Sequence, residues 1–216
     1  MTVAALVWRS LTPPAWYGLL AFGAPALILL LAWAASAYSG RPMSELMRDP
    51  AEVAHLPAYT GFVSNTGGLL WAGATTLALA TAALLVRAGR RGETVGFFVI
   101  LGLLSGALMA DDVFMLHDRI FPHVLSLPEW LPVAFHAVLL LVLLAGFRRV
   151  YAEWNLFFLA MALSGFAASL GIDLLPEESL PGHYVIEDGF KLFGIVNWLA
   201  FTVQSCFRYL RAIEPA

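Results

Sequence analysis

Charge is scarce in this chain. Of its 216 residues only 12% are Asp, Glu, Lys or Arg, while 60% are apolar. Soluble domains carry about 25% charged residues, so the composition excludes an ordinary soluble fold and implies a membrane protein. Cysteine is scarcer still. Cys206 stands alone, which excludes an internal disulfide and a cysteine-built metal cage and leaves it as small apolar packing in the last helix. Basic residues are also few: 12 Lys and Arg against 15 Asp and Glu, for a net charge of -3. A nucleic-acid partner is therefore not expected. No H-E-x-x-H or H-x-x-x-H spacing occurs, so no motif by itself declares a metal.

What the chain does have is long apolar runs. A helix needs about 20 apolar residues to cross a hydrocarbon core about 30 Å thick. Six segments qualify, at about 16–38, 65–87, 94–117, 130–147, 154–175 and 186–210. None alternates with period two, and exposed strand edges are not tolerated in lipid, so strands are excluded. The expected fold is all-α: one domain over 1–216, a polytopic bundle of six transmembrane helices. Residues 18–37 end in "AASA", which resembles a signal cleavage site, but the apolar run exceeds an h-region of about 7–15 residues. It reads as a retained first span. Trp16, Tyr17, Tyr38, Trp130, Tyr151, Trp154, Tyr184 and Tyr209 fall near span ends, as an aromatic belt does.

Lys and Arg set the orientation. Arg9, Arg87, Arg90, Arg91, Arg148, Arg149, Arg208 and Arg211 share one side of a six-span chain, against Arg41, Arg48 and Arg119 in loops on the other. Both termini are thus expected in the cytoplasm, with the chain in the cytoplasmic (inner) membrane. All carboxylates except Glu93, Glu153 and Glu214 fall in the extracytoplasmic half, and all five histidines do too. The loop 40–60 carries Met43, Leu46 and Met47, spaced for one turn of interfacial helix.

Ionisable groups inside spans are costly and face a bundle interior or water. On the third helix Ser105, Leu108 and Asp112 share a face, while Asp111, Met115 and Asp118 form a neighbouring stripe read as a hydrated interfacial face. His117 lies off both stripes unless the helix loosens near "LHDRIFP", where Pro122 stands. His136 enters with the fourth helix, and Ser169 and Asp173 share a face of the fifth. On the sixth, Lys191 is four residues after Glu187 and three after Asp188, spaced to pair with either, with Asp112 or Asp173 close by. Gly189 and Gly194 leave room for a neighbouring helix. His55, His123 and His183 read as loop residues. Asp111, Asp112, His117, His136, Asp173, Glu187, Asp188 and Lys191, carried by four helices, can therefore meet in one extracytoplasmic pocket.

Three functions fit such a pocket. In the first, Asp112, His117, His136 and Asp173 bind a divalent metal, zinc foremost, since imidazole and carboxylate suit Zn, Mn or Fe. Asp112, Asp173, Glu187 and Lys191 are then the candidate catalytic residues of a hydrolase acting on a lipid or amphipathic ester or amide. In the second, Asp112, Asp173 and Lys191 exchange protons or cations in a coupled transporter, with only Asn197 and Gln204 continuing inward. In the third, the cluster fixes helix register in a non-catalytic membrane assembly subunit. A haem variant would use His117 and His136 as axial ligands. The expected partners are membrane lipids, together with a second copy of the chain or a larger membrane complex.

The block "DDVFMLHD", followed by "LPEW", "FRR" and "IEDGFKLFGIVNW", resembles a group of bacterial six-helix membrane proteins of unassigned function. These share a D-D-x-F-x-L-H-[DE] block and a later E-D-x-x-K-x-x-G block. The resemblance covers about residues 105–200. It points to Asp111, Asp112, His117, Glu187, Asp188 and Lys191 as shared polar positions and implies no activity. A weaker similarity is to the alkaline ceramidase-like membrane hydrolases, which place a Ser, an Asp and three His around zinc. This sequence has Asp112 but carries Glu187 and Lys191 where those proteins have paired histidines on a last helix.

Overall fold

A computed structural model describes residues 19–151, 154 and 156–211. Arg9, Trp16, Tyr17, Glu153 and Glu214 lie outside the described residues. Among the described residues every regular element is helical. The chain divides into two compact units, one ending at Thr60 and one beginning at Gly61.

In the first unit a π-helical turn, Leu19–Gly23, leads into α1, Ala24–Ser39. Pro stands in the first turn of α1, where a missing N–H costs nothing, and Gly40 ends it in the left-handed region at φ 69°. No residue of α1 is buried. A helix apolar all round yet unburied by protein is suited to lipid. Two single turns follow, α2 at Met43–Leu46, where the sequence places one turn, and α3 at Pro50–Val53. Asp49 caps α3 by accepting from the N–H groups of Ala51 and Glu52.

The second unit contains α4, Phe62–Arg87; α5, Glu93–Phe114; a π-helical segment, Leu116–Val124; α6, Trp130–Leu141, extended by a π turn to Gly146; α7, Arg148–Tyr151; α8, Phe157–Asp173; and α9, His183–Arg211. α4 packs along α5 and α9, and α8 along α9. Small residues permit the closest of these approaches. A Cβ on Gly165 of α8 would lie 2.8 Å from the backbone nitrogen of Gly194 on α9, so neither backbone can retreat behind a side chain there. Gly189, expected to serve the same purpose, faces open space instead.

Trp71, Phe97, Phe98, Leu101, Leu104, Trp198 and Phe201 fill the interior. Two of its polar side chains pair within it: Trp198 Nε1 donates to Ser105 Oγ at 2.9 Å, and Ser105 donates to the Leu101 carbonyl at 2.8 Å. Large apolar side chains such as Leu69, Phe114 and Leu141 point outward, the arrangement expected where the solvent is hydrocarbon.

Four helices are long and apolar enough to cross a membrane: Ala21–Ser39, Phe62–Arg87, Glu93–Phe114 and His183–Tyr209. Two shorter apolar helices, Trp130–Gly146 and Phe157–Asp173, coincide with the remaining predicted spans. This is an all-helical, multi-pass membrane protein. The third span ends earlier than its hydropathy suggests. α5 stops at Phe114, and Met115 turns left-handed at φ 50°, ψ 49°. The loosening near "LHDRIFP" under which His117 could join the cluster takes the form of this reversal and the π-helical segment with Pro122 inside it.

Candidate functional site: a polar cluster over an apolar cleft

Asp111 and Asp112 are neighbours on the last turn of α5, so their side chains diverge by about 100° around the helix. That divergence creates two clusters. Asp112 turns toward α4 and α9. Its Oδ1 lies 2.7 Å from Lys191 Nζ, and its Oδ2 accepts from Trp71 Nε1 at 3.0 Å. Asp111 turns toward the chain that follows. Oδ1 accepts the His117 backbone N–H at 2.9 Å, and Oδ2 lies 2.8 Å from His117 Nδ1. The carboxylate thus replaces the helical partner that His117 N–H loses at the Met115 reversal, and this stabilises the break. The same Oδ2 is 3.7 Å from His136 Nδ1 on α6.

A third contact carries the second cluster outward, for His117 Nε2 lies 3.1 Å from Asp118 Oδ1. Side-chain exposure falls along this series from 62% at Asp118 to 34% at His117 and 7% at Asp111. His117 lies beyond the end of α5. Its hydrogen bond to Asp111 holds the imidazole protonated above the ordinary imidazole range, against the opposing effect of burial.

Several sequence expectations change here. Lys191 pairs with Asp112 across two helices, not with Glu187 or Asp188 on its own. Glu187 faces His183 instead, at 3.6 Å, and His183 is buried rather than a loop residue. Asp188 shares only a water-sized notch with Lys191, Asp112 and Ser64. Asp111, open to either a hydrated face or the pocket, is buried, whereas Asp118 is exposed as expected. Asp173 is exposed and forms no hydrogen bond or ion pair among the described residues.

The four expected metal ligands are not in contact with one another: Asp112 pairs with Lys191, His117 and His136 lie beside Asp111, and Asp173 is exposed, although Asp112 and His136 both line one cleft. Among the described residues no group of three or more His, Cys, Asp or Glu is arranged to hold a metal ion.

Beneath the clusters lies a cleft of about 250 Å³, lined by apolar side chains of five helices. Trp71, Trp198 and Phe166 form an aromatic wall: Trp71 stacks on Phe166 at 5.7 Å, and Trp198 meets Trp71 edge-on at 6.2 Å. Among the described residues only Asp112, His136 and Lys191 bring ionisable groups to it. Val133 and Ala137 of α6 line it yet remain exposed, so it opens at the α6 side. Ser105, Leu108 and Asp112, predicted to share a face, do so: Leu108 and Asp112 line the cleft, and Ser105 lies under Trp198.

The residue that sequence reasoning misses is Trp71. Its signal is present, because a tryptophan in mid-span, far from either aromatic belt, needs an acceptor for its indole N–H.

The fold and site together define a helical membrane protein whose bundle holds an apolar cleft ending in an ion pair and an imidazole. The chain belongs to the family described as Domain of unknown function (DUF8692), whose model matches residues 19–205. No curated protein and no solved structure matches it.

Proposed function

We propose that this is a six-span inner-membrane protein, with both termini cytoplasmic, that admits an amphipathic ester or amide into the cleft and hydrolyses it by acid–base catalysis. One observation carries the reading. His136 lines an almost wholly apolar cleft, and behind it Asp111, His117 and Asp118 form a series of titratable groups leading out to water.

The chemistry follows from those positions. The apolar tail lies against Trp71, Phe166 and Trp198, and the carbonyl end rests near Lys191 and His136. Asp111, beside Nδ1, orients the imidazole so that its other nitrogen serves as base. The 3.7 Å separation is just beyond hydrogen-bond reach, and a small ring rotation closes it. A water's oxygen adds to the carbonyl carbon while His136 takes its proton. The Lys191 ammonium stabilises the developing oxyanion. His136 then returns the proton to the departing oxygen or nitrogen, the bond to that atom breaks, and acid and alcohol (or amine) leave.

Two experiments test this reading. For topology, a reporter fused after Arg211 should be active only in the cytoplasm, and one inserted within 176–183 only outside. Equal cytoplasmic activity from both would end the six-span arrangement. For the cleft, Ala137→Trp should fill it and weaken binding of a single-chain amphiphile at least about tenfold, read from quenching of Trp71 and Trp198 in wild type. Unchanged affinity would remove the cleft as the binding site. Stoichiometric zinc in the purified protein would transfer water activation from His136 to the metal, and proton flux coupled to ligand movement in proteoliposomes would favour transport.

A further inference from the structure

A second site lies at the opposite end of α9. Arg208 is 17 residues beyond Lys191, about 25 Å along the axis at 1.5 Å per residue, and so at the other membrane surface. There Trp154, Gln204, Phe207 and Arg208 enclose an open cavity of about 390 Å³. The Arg208 guanidinium sits over the Trp154 ring, 5.7 Å from its centroid, and has no carboxylate partner among the described residues. This cation–π contact holds the guanidinium beside the ring while leaving N–H groups available.

Gln204 turns Oε1 inward, where it is buried without a partner, so the amide's contribution to a ligand is its NH2 group. Among the described residues no carboxylate lines this cavity to oppose these charged and amide donors. Phe207 beside them is exposed and apolar, placed to lie along hydrocarbon.

We propose that this cavity binds the phosphate of an anionic membrane phospholipid, with Arg208 and Gln204 donating to the phosphate oxygens and Phe207 packing on an acyl chain. The charge complementarity and the unpaired guanidinium call for an anion with several acceptor oxygens. The cavity's depth at a span end, together with the flanking apolar ring, selects one attached to a lipid. This site is independent of the cleft near Lys191 and of the hydrolase reading.

The test is native mass spectrometry of the full chain released from detergent micelles containing dioleoyl phosphatidylglycerol or dioleoyl phosphatidylcholine. Wild type should retain one phosphatidylglycerol in preference to phosphatidylcholine. Arg208→Gln should lower its occupancy roughly tenfold, Gln204→Leu should lower it less, and Arg208→Lys should restore part of it. Arg87→Gln, which removes a basic residue from the end of α4, should leave retention unchanged. Circular dichroism must first show each variant to be as helical as wild type. Equal retention of the two lipids, or equal losses from Arg208→Gln and Arg87→Gln, would overturn the site as a general basic annulus. Displacement of the lipid by millimolar inorganic phosphate would overturn its lipid character and leave an anion site.

Discussion

Lys191→Met should destabilise the protein by about 1–3 kcal/mol, lowering its melting temperature in detergent by roughly 3–10 °C. Removing one member of a fully buried pair costs about 3–5 kcal/mol. The Lys191 side chain is 41% exposed and Asp112 only 14%, so solvent screening reduces the effect. The cost arises mainly at the residue left behind. Without the ammonium, the Asp112 carboxylate keeps a single indole donor, from Trp71, at the edge of an apolar cleft. Arg41→Met is the control, because its pair with Glu45 is 3.6 Å long and exposed and worth about 0–1 kcal/mol. Adding Asp112→Leu to Lys191→Met should recover part of the loss, since an apolar replacement leaves no stranded charge. Equal melting temperatures for Lys191→Met and Arg41→Met would show that the ammonium contributes nothing beyond an ordinary surface charge.

That prediction depends on a partner the sequence does not disclose. Spacing along α9 favours Glu187 or Asp188, three or four residues before Lys191, because local rules see only one helix. Asp112 wins because α4, α5 and α9 pack together and bring its carboxylate to the ammonium from another element, a contact with no signature in linear spacing. That helices fill the apolar runs was legible, since no run alternates with period two, and four of them reach spanning length. The loosening at "LHDRIFP" was legible only as the condition under which His117 could join the cluster, and the break falls at Met115, seven residues before Pro122. How far the two aspartates diverge in role was not legible. Helical geometry separates Asp111 and Asp112 by about 100°, but only the left-handed Met115 brings His117 back onto Asp111 and so buries a carboxylate that periodicity left open to either water or the pocket. His183 escaped for a related reason: Pro181 and Gly182 mark a loop, yet the histidine after them opens α9 and turns inward onto Glu187.

The largest kinetic effect is expected from His136→Gln. If His136 moves the proton in hydrolysis, its loss should lower kcat on an amphipathic ester by about 10²–10⁴-fold, the usual range for a positioned acid–base group. Glutamine keeps much of the size and polarity of the imidazole, so amphiphile affinity, read by quenching of Trp71 and Trp198, should stay within about twofold of wild type. The separation of these readouts matters because His136 also lines the cleft. A collapsed cleft would weaken affinity and turnover together, whereas loss of the proton carrier lowers turnover alone. His117→Gln should act more weakly and differently. It breaks the series between Asp111 and Asp118 without touching the cleft lining, so its effect should appear as an altered pH–rate profile more than as lost binding. If His136→Gln retains wild-type turnover, the imidazole is not the base. The acid–base reading then fails, while the cleft's capacity to hold an amphiphile is decided separately by Ala137→Trp.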